Sequence, residues 1–171
     1  MGSLVTVAEQ VAGLVERGVP ALAGLSTPVF ESLGASLPEA DDAVVVVHPR
    51  LVAPSVLAPL LRRVDKPGFV VVDMTDLDAF VPVPGVDVPD ADLYLVRGLD
   101  RGDDLRNLSP DEADPLIRAR GRTPLTISEG ISWLLAEPSR LEPNHCFMTT
   151  GSRLTRPDGR LDARTPAVWI S

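Results

Sequence analysis

The sequence predicts a single α/β or α+β domain built on a small mixed sheet with helices on both faces. Three observations predict it. Ala43–Val47 is a run of five apolar residues, four of them valine, stopped by His48-Pro49. That is how a strand covered on both faces reads. Residues 52–64 then carry Val52, Val56, Leu57, Leu60, Leu61 and Val64 at helical spacing, and residues 69–72 form a second apolar run. Strand, helix and strand in this order predict a βαβ unit with two parallel strands. Residues 146–149 and Ala167–Ile170 read as two further strands, an antiparallel C-terminal hairpin.

The remaining elements follow in chain order. Residues 5–17 place Val7, Val11, Leu14 and Val15 on one helical face, and Gly18 with Pro20 ends that helix. Residues 20–38 read as a second helix with Thr27 as N-cap before Pro28. Together they make residues 1–40 a helical segment packed on the domain that spans residues 1–171. Ser55 or Pro54 opens the next helix, and Pro59 kinks it. Residues 73–92 hold Pro82, Pro84 and Pro89 and read as loop, with one helical turn near Leu77. Residues 93–96 are a third strand, parallel to the first two. Ser109-Pro110-Asp111-Glu112 supplies a hydroxyl cap, a proline in the first turn and a glutamate three after the cap. The helix opens there or, with Asp114 as cap, at Pro115, and ends at Gly121. Thr126-Ile127-Ser128-Glu129 is another capping box, for a helix that buries Ile131, Leu134 and Leu135. Residues 151–165 read as a long mobile hairpin loop.

Composition narrows the function classes. The chain has 171 residues, 44% of them hydrophobic and 23% charged, which suits a globular domain with a true core. The net charge is −8, against nucleic acid and against anionic membrane surfaces as partners. The charge is uneven. Residues 73–114 hold twelve acids against Arg97, Arg101 and Arg106. Cys146 is the only cysteine, so neither an intrachain disulfide nor a multi-thiolate zinc site is expected. No charged n-region precedes an apolar stretch at the start. Both features fit a reducing cytoplasm. Fifteen of the sixteen basic residues are arginine, a bias that reads as a GC-rich bacterial genome.

No dinucleotide fingerprint, P-loop, HExxH or nucleophile-elbow motif occurs in the sequence. The candidate site is therefore geometric. Ligands of open parallel sheets sit beyond the carboxyl ends of the strands. Those ends would carry His48 and Arg50, then Asp73, Thr75 and Asp76, then Arg97, Asp100, Arg101, Asp103 and Asp104. His48 is the candidate acid–base, and Asp73 and Asp76 are candidate carboxylates. Arg97, Arg101, Asp103 and Asp104 are candidate ligand-binding residues. Asp73, Asp76 and Asp78 include an Asp-x-Asp pair, yet capping of the turn at Leu77 accounts for them, and no metal site is assigned. His145 and Cys146 are neighbours on a strand and point to opposite faces, so they do not form a nucleophile–base pair. Residues 97–106 form the densest charge cluster. It is fixed at both ends, with Gly98 and Gly102 as flexible points. It suits either a binding loop or an ion-pair network to the basic C-terminal third.

Several phrases occur together: KPGFVVVDMTDLDAF from Lys66, RGDDLRNLSPDEA from Arg101, RGRTPLTISEGISWL from Arg120, EPNHCF from Glu142 and the final PAVWIS. In these the chain resembles a family of actinobacterial proteins classed as a domain of unknown function. The resemblance covers most of the chain after about residue 43. It implies an aromatic where Leu108 stands and an aromatic-rich continuation beyond Ser171. It implies a source and a fold and brings no activity or cofactor with it. The sequence thus leads to a cytoplasmic binding or interaction module, homodimeric through its terminal strand, with a small polar ligand as the other partner. The alternative is an enzyme acting on a small polar metabolite with the strand-end cluster. Convergence of His48, Asp73 and Arg97 on one cleft decides between them.

Overall fold

The computed structural model describes residues 5–63, 66–70, 76–100, 102–105, 107–140 and 147–170. Along them run α1 (Val7–Glu16), α2 (Val19–Leu22), α3 (Thr27–Ala35), β1 (Ala43–Val47), α4 (Pro54–Leu57), β2 (Arg62–Arg63), β3 (Lys66–Val70) and β4 (Val81–Pro82). After these come β5 (Leu93–Arg97), α5 (Pro110–Ala119), α6 (Ile127–Ala136), β6 (Phe147–Met148), β7 (Ser152–Arg153) and β8 (Ala167–Ile170). The caps at Ser109 and Thr126 are those the sequence predicts, and Thr6 is a further one. Thr6, Ser109 and Thr126 each accept a backbone N–H three residues on, and Thr126 with Glu129 completes its capping box. Ser26, one residue before the expected Thr27, caps α3. Helix α5 starts at the first of its two expected starts and runs through Pro115.

The class is α+β. The parallel βαβ core and the single mixed sheet do not form: among the described residues every strand pairs antiparallel. β1 pairs with β5, β4 pairs with β7, and a third sheet has the order β2-β3-β8-β6. The reason lies at the second edge of β1. Gln10 of α1 donates its Nε2 to the Ala43 carbonyl at 2.8 Å and accepts the Val45 N–H at Oε1, also at 2.8 Å. The Val47 N–H donates to Ser132 Oγ of α6 at 3.1 Å. Two helices thus meet backbone groups that a parallel neighbour would have met. An apolar run reports that its side chains are buried and is silent about what bonds its backbone. The expected crossover helix is also short. After the single turn of α4, a 3-10 turn at Ala58–Leu60 carries Pro59, and the chain reverses into the β2–β3 hairpin.

The core sits around β1, all five residues of which are buried. Helix α1 brings Val7, Val11 and Leu14 to it. In α6 every residue from Ile127 to Leu135 is buried, including the expected Ile131, Leu134 and Leu135. Helix α3 approaches α1 at Gly34, where a Cβ would stand 2.6 Å from Val11 Cγ1.

Two further expectations change. The C-terminal antiparallel pair forms, β6 with β8, but β8 also pairs with β3 and so lies inside its sheet. The expected homodimer loses the terminal edge strand on which it was argued. The polar segment 151–165, expected as a loop, carries strand structure and buried side chains. It contributes β7 and a Thr155–Leu161 bridge, and buries Arg153, Asp162 and Thr165.

Candidate functional site

The antiparallel ladder decides the fate of the strand-end cluster. Val47 lies opposite Leu93 and Ala43 opposite Arg97, so the carboxyl ends of β1 and β5 are opposite ends of one ribbon. His48 and Arg97 are about five strand steps apart, roughly 17 Å. His48 is half-buried. Its Nδ1 accepts the Arg50 N–H at 3.0 Å and its ring stands edge-on to Tyr94, centroids 6.1 Å apart. Burial, and then the Arg50 charge, hold the imidazole below its ordinary pKa, while Asp92 and Asp90 act the other way. Arg50 itself is engaged by Asp90 and, at 2.8 Å, by Asp92.

Asp76 is paired elsewhere. Its carboxylate takes two bonds from Arg164, at 3.2 and 2.8 Å, and that guanidinium also bonds Asp162. Hydrogen bonds from Arg164 are the main reason both acids sit below the ordinary carboxylate range. Asp104 ion-pairs with Arg120 at 2.7 Å, just beyond the end of α5, and this lowers its pKa too. That contact matches the network reading of the charged loop. Asp73, Thr75, Arg101, His145, Cys146 and the side chain of Asp103 lie outside the described residues. Among the described residues no group of three His, Cys, Asp or Glu side chains is placed to hold a metal ion.

Arg97 belongs to a different site. A cleft of about 1330 Å³ opens between β5, with the loop that follows it, and α5. Leu95, Leu99, Leu105, Leu108, Ile117 and Leu125 give it apolar walls. Tyr94 and Glu129 line it as a buried pair. The Tyr94 hydroxyl donates to Glu129 Oε2 at 3.0 Å, and Glu129 Oε1 accepts the Thr126 N–H at 2.9 Å. Burial, with the glutamate beside it, pushes the Tyr94 hydroxyl pKa up. The polar groups of the rim differ in how they are spent. Arg120 holds Asp104. Arg122 Nη1 donates to the Gly98 carbonyl at 2.7 Å, and Asp100 accepts the Gly102 N–H at 2.7 Å. Exposed Arg97 has no side-chain partner among the described residues. The loop and its arginine are legible in the sequence; the apolar wall that Ile117 of α5 gives the cleft is not, since it depends on how α5 packs against β5.

A second polar centre was also missed. Buried Arg153 donates through Nε and Nη2 to the Asp162 carbonyl, at 3.3 and 2.8 Å, and through Nη1 to Asp111 at 3.1 Å. Thr165 Oγ1 donates to the Thr149 carbonyl at 2.7 Å. With Asp76 and Arg164 these groups tie segment 151–165 to α5 and to the turn before β4. The available signal was the density of charge within that segment, four arginines and two aspartates.

A family model described as a family of unknown function (DUF5701) matches residues 13–171, and the chain belongs to that family. No curated protein and no solved structure matches. Among the described residues no helix is long and apolar enough to cross a membrane.

Proposed function

We propose that this member of the family is a binding module and that its ligand occupies the cleft between β5 and α5. The observation that carries the reading is the cleft itself: about 1330 Å³, lined by apolar side chains and polar groups together, with a rim arginine that has no side-chain partner among the described residues. Ligand sites are concave and largely apolar, with a few polar groups to fix orientation. The described parts of the loop, residues 98–100, 102–105 and 107–108, are anchored. β5 enters it, the Ser109 cap of α5 ends it, and Arg120 and Arg122 tie it down. Binding residues are often carried on such loops. Nothing favours the enzyme alternative, since His48 and Asp76 are each held by separate partners away from this cleft.

The test is the neutral apolar dye N-phenyl-1-naphthylamine. It is expected to bind saturably at micromolar concentration with a rise in fluorescence, and Ile117→Trp, which fills the cleft, is expected to abolish the rise. Absence of binding, or binding unchanged by Ile117→Trp, contradicts the reading.

A further inference from the structure

One wall of the cleft is the edge of a strand. In the β1–β5 ladder the His48 N–H bonds the Asp92 carbonyl at 3.0 Å and the Gly98 N–H reaches the Asp42 carbonyl at 3.4 Å. Those contacts fix which residues exchange hydrogen bonds: Tyr94 and Val96 of β5 turn their backbone groups towards β1. The N–H and C=O of Leu95 and Arg97 therefore point the other way. Among the described residues no group meets them. The two edges of this ribbon are treated differently. Gln10 and Ser132 meet backbone groups on the outer edge of β1, whereas the edge of β5 stands beside a cleft that Leu95 and Arg97 line. An uncovered edge is a template for another extended chain.

We infer that the cleft binds an extended peptide that adds as a strand to the edge of β5, with an acidic side chain against Arg97. The inference rests on the reading of the cleft as the ligand site and names the ligand class. An extended backbone offers donors and acceptors with a period of two residues, about 6.8 Å, and the open groups of Leu95 and Arg97 are two residues apart. An aliphatic acid or a flat heterocycle would leave them unmet. Strand addition takes its affinity from main-chain bonds and its specificity from pockets for alternate side chains. Here Leu99, Leu108, Ile117 and Leu125 supply the pockets. The preference for an acid comes from the spent and unspent charges. Asp100 is turned onto the Gly102 N–H and Glu129 onto Thr126 and Tyr94, while Arg97 has no side-chain partner among the described residues and Arg122 meets only a carbonyl. Asp87 is an exposed lining acid on the segment before β5, so a basic peptide is the preference the test must exclude.

The experiment selects a displayed library of random heptapeptides on the full chain and synthesises the strongest binder. Enriched sequences are expected to alternate apolar residues and to carry Asp or Glu, and the binder is expected to displace N-phenyl-1-naphthylamine. N-methylation of one alternate set of its amides should weaken binding at least about tenfold, the other set far less, since only one set faces β5. Leu95→Pro removes an N–H that the ladder does not use, a substitution edge strands tolerate. It should weaken binding about tenfold beyond Leu95→Ala, and Arg97→Glu should weaken it by a similar factor. Equal binding of both N-methylated sets and the parent, enrichment of basic peptides, or self-association of the chain through this edge overturns the inference. If the dye binds and no peptide is enriched, the inference falls and the cleft reading stands; if the dye does not bind either, both fall.

Discussion

Arg153 is 4% exposed in a stretch of chain that reads as surface. Its neighbours are Gly151, Ser152, Leu154, Thr155 and Arg156, and the single leucine makes no apolar pattern that announces burial. The guanidinium is buried because its bonds leave it few unmet donors: two go to the Asp162 carbonyl and one to Asp111. Removing it orphans a buried carbonyl and leaves a hole. Arg153→Met is expected to cost about 2–3 kcal/mol, read from urea unfolding, and a variant within about 0.5 kcal/mol of the parent would mark an ordinary surface residue. Arg164 acts through charge. It holds Asp76 and Asp162 below the ordinary carboxylate range, so the unfolded chain takes up protons before the folded one does. The stability these acids contribute is present above about pH 4 and is lost as the pH falls further. Thermal melts across pH are the measurement. Arg164→Met should melt lower than the parent at pH 7, and the gap should narrow between pH 4 and pH 2; a gap constant with pH contradicts the linkage.

Among the elements, β1 is the most instructive. Its five apolar residues were legible as a buried strand, and Ser109 and Thr126 were legible as helix caps, because both signals are local. The partner of β1 was not legible, because a valine run is the same whether a strand or a helix side chain meets its edge. One residue carried the missing information. Gln10 interrupts the buried stripe of Val7, Val11 and Leu14, and a buried amide in such a stripe must find backbone or side-chain partners. Gln10→Leu orphans the Ala43 carbonyl and the Val45 N–H, with an expected loss of about 2–4 kcal/mol in urea unfolding; an unchanged midpoint would show that the edge is satisfied otherwise. Gly151 fixes the segment that joins β6 to β7. Its N–H donates to the Leu125 carbonyl at 2.7 Å, and a Cβ there would stand 2.6 Å from the backbone of Pro124 and Leu125. Backbone cannot give way as a flexible side chain does. Gly151→Ala should lower stability by about 1–3 kcal/mol and disturb the cleft wall at Leu125; a melting temperature equal to the parent's would contradict that packing.

Across the whole molecule, function turns on how the strands are arranged. A parallel sheet would have gathered His48, Asp73 and Arg97 at one end, which is why they read as a cluster. Antiparallel pairing sends His48 and Arg97 to opposite ends of a ribbon, leaving His48 with Arg50 and Tyr94 and handing Arg97 to a cleft shared with α5. The charged loop was legible as a candidate because charge density is a property of sequence. The wall opposite it was not, because the approach of α5 to β5 is set by tertiary packing. The sequence leaves the charged loop of residues 97–106 open between a binding loop and an ion-pair network; the Asp104–Arg120 pair fits the network, and the proposed binding site is the cleft that Arg97 lines. The most direct measurement is an amide-resonance titration with N-phenyl-1-naphthylamine. The account predicts saturable shifts at Leu95, Gly98, Ile117 and Leu125, with His48, Asp76 and Gln10 unmoved. Shifts centred on His48 or on Asp76, or none at saturating dye, would contradict it.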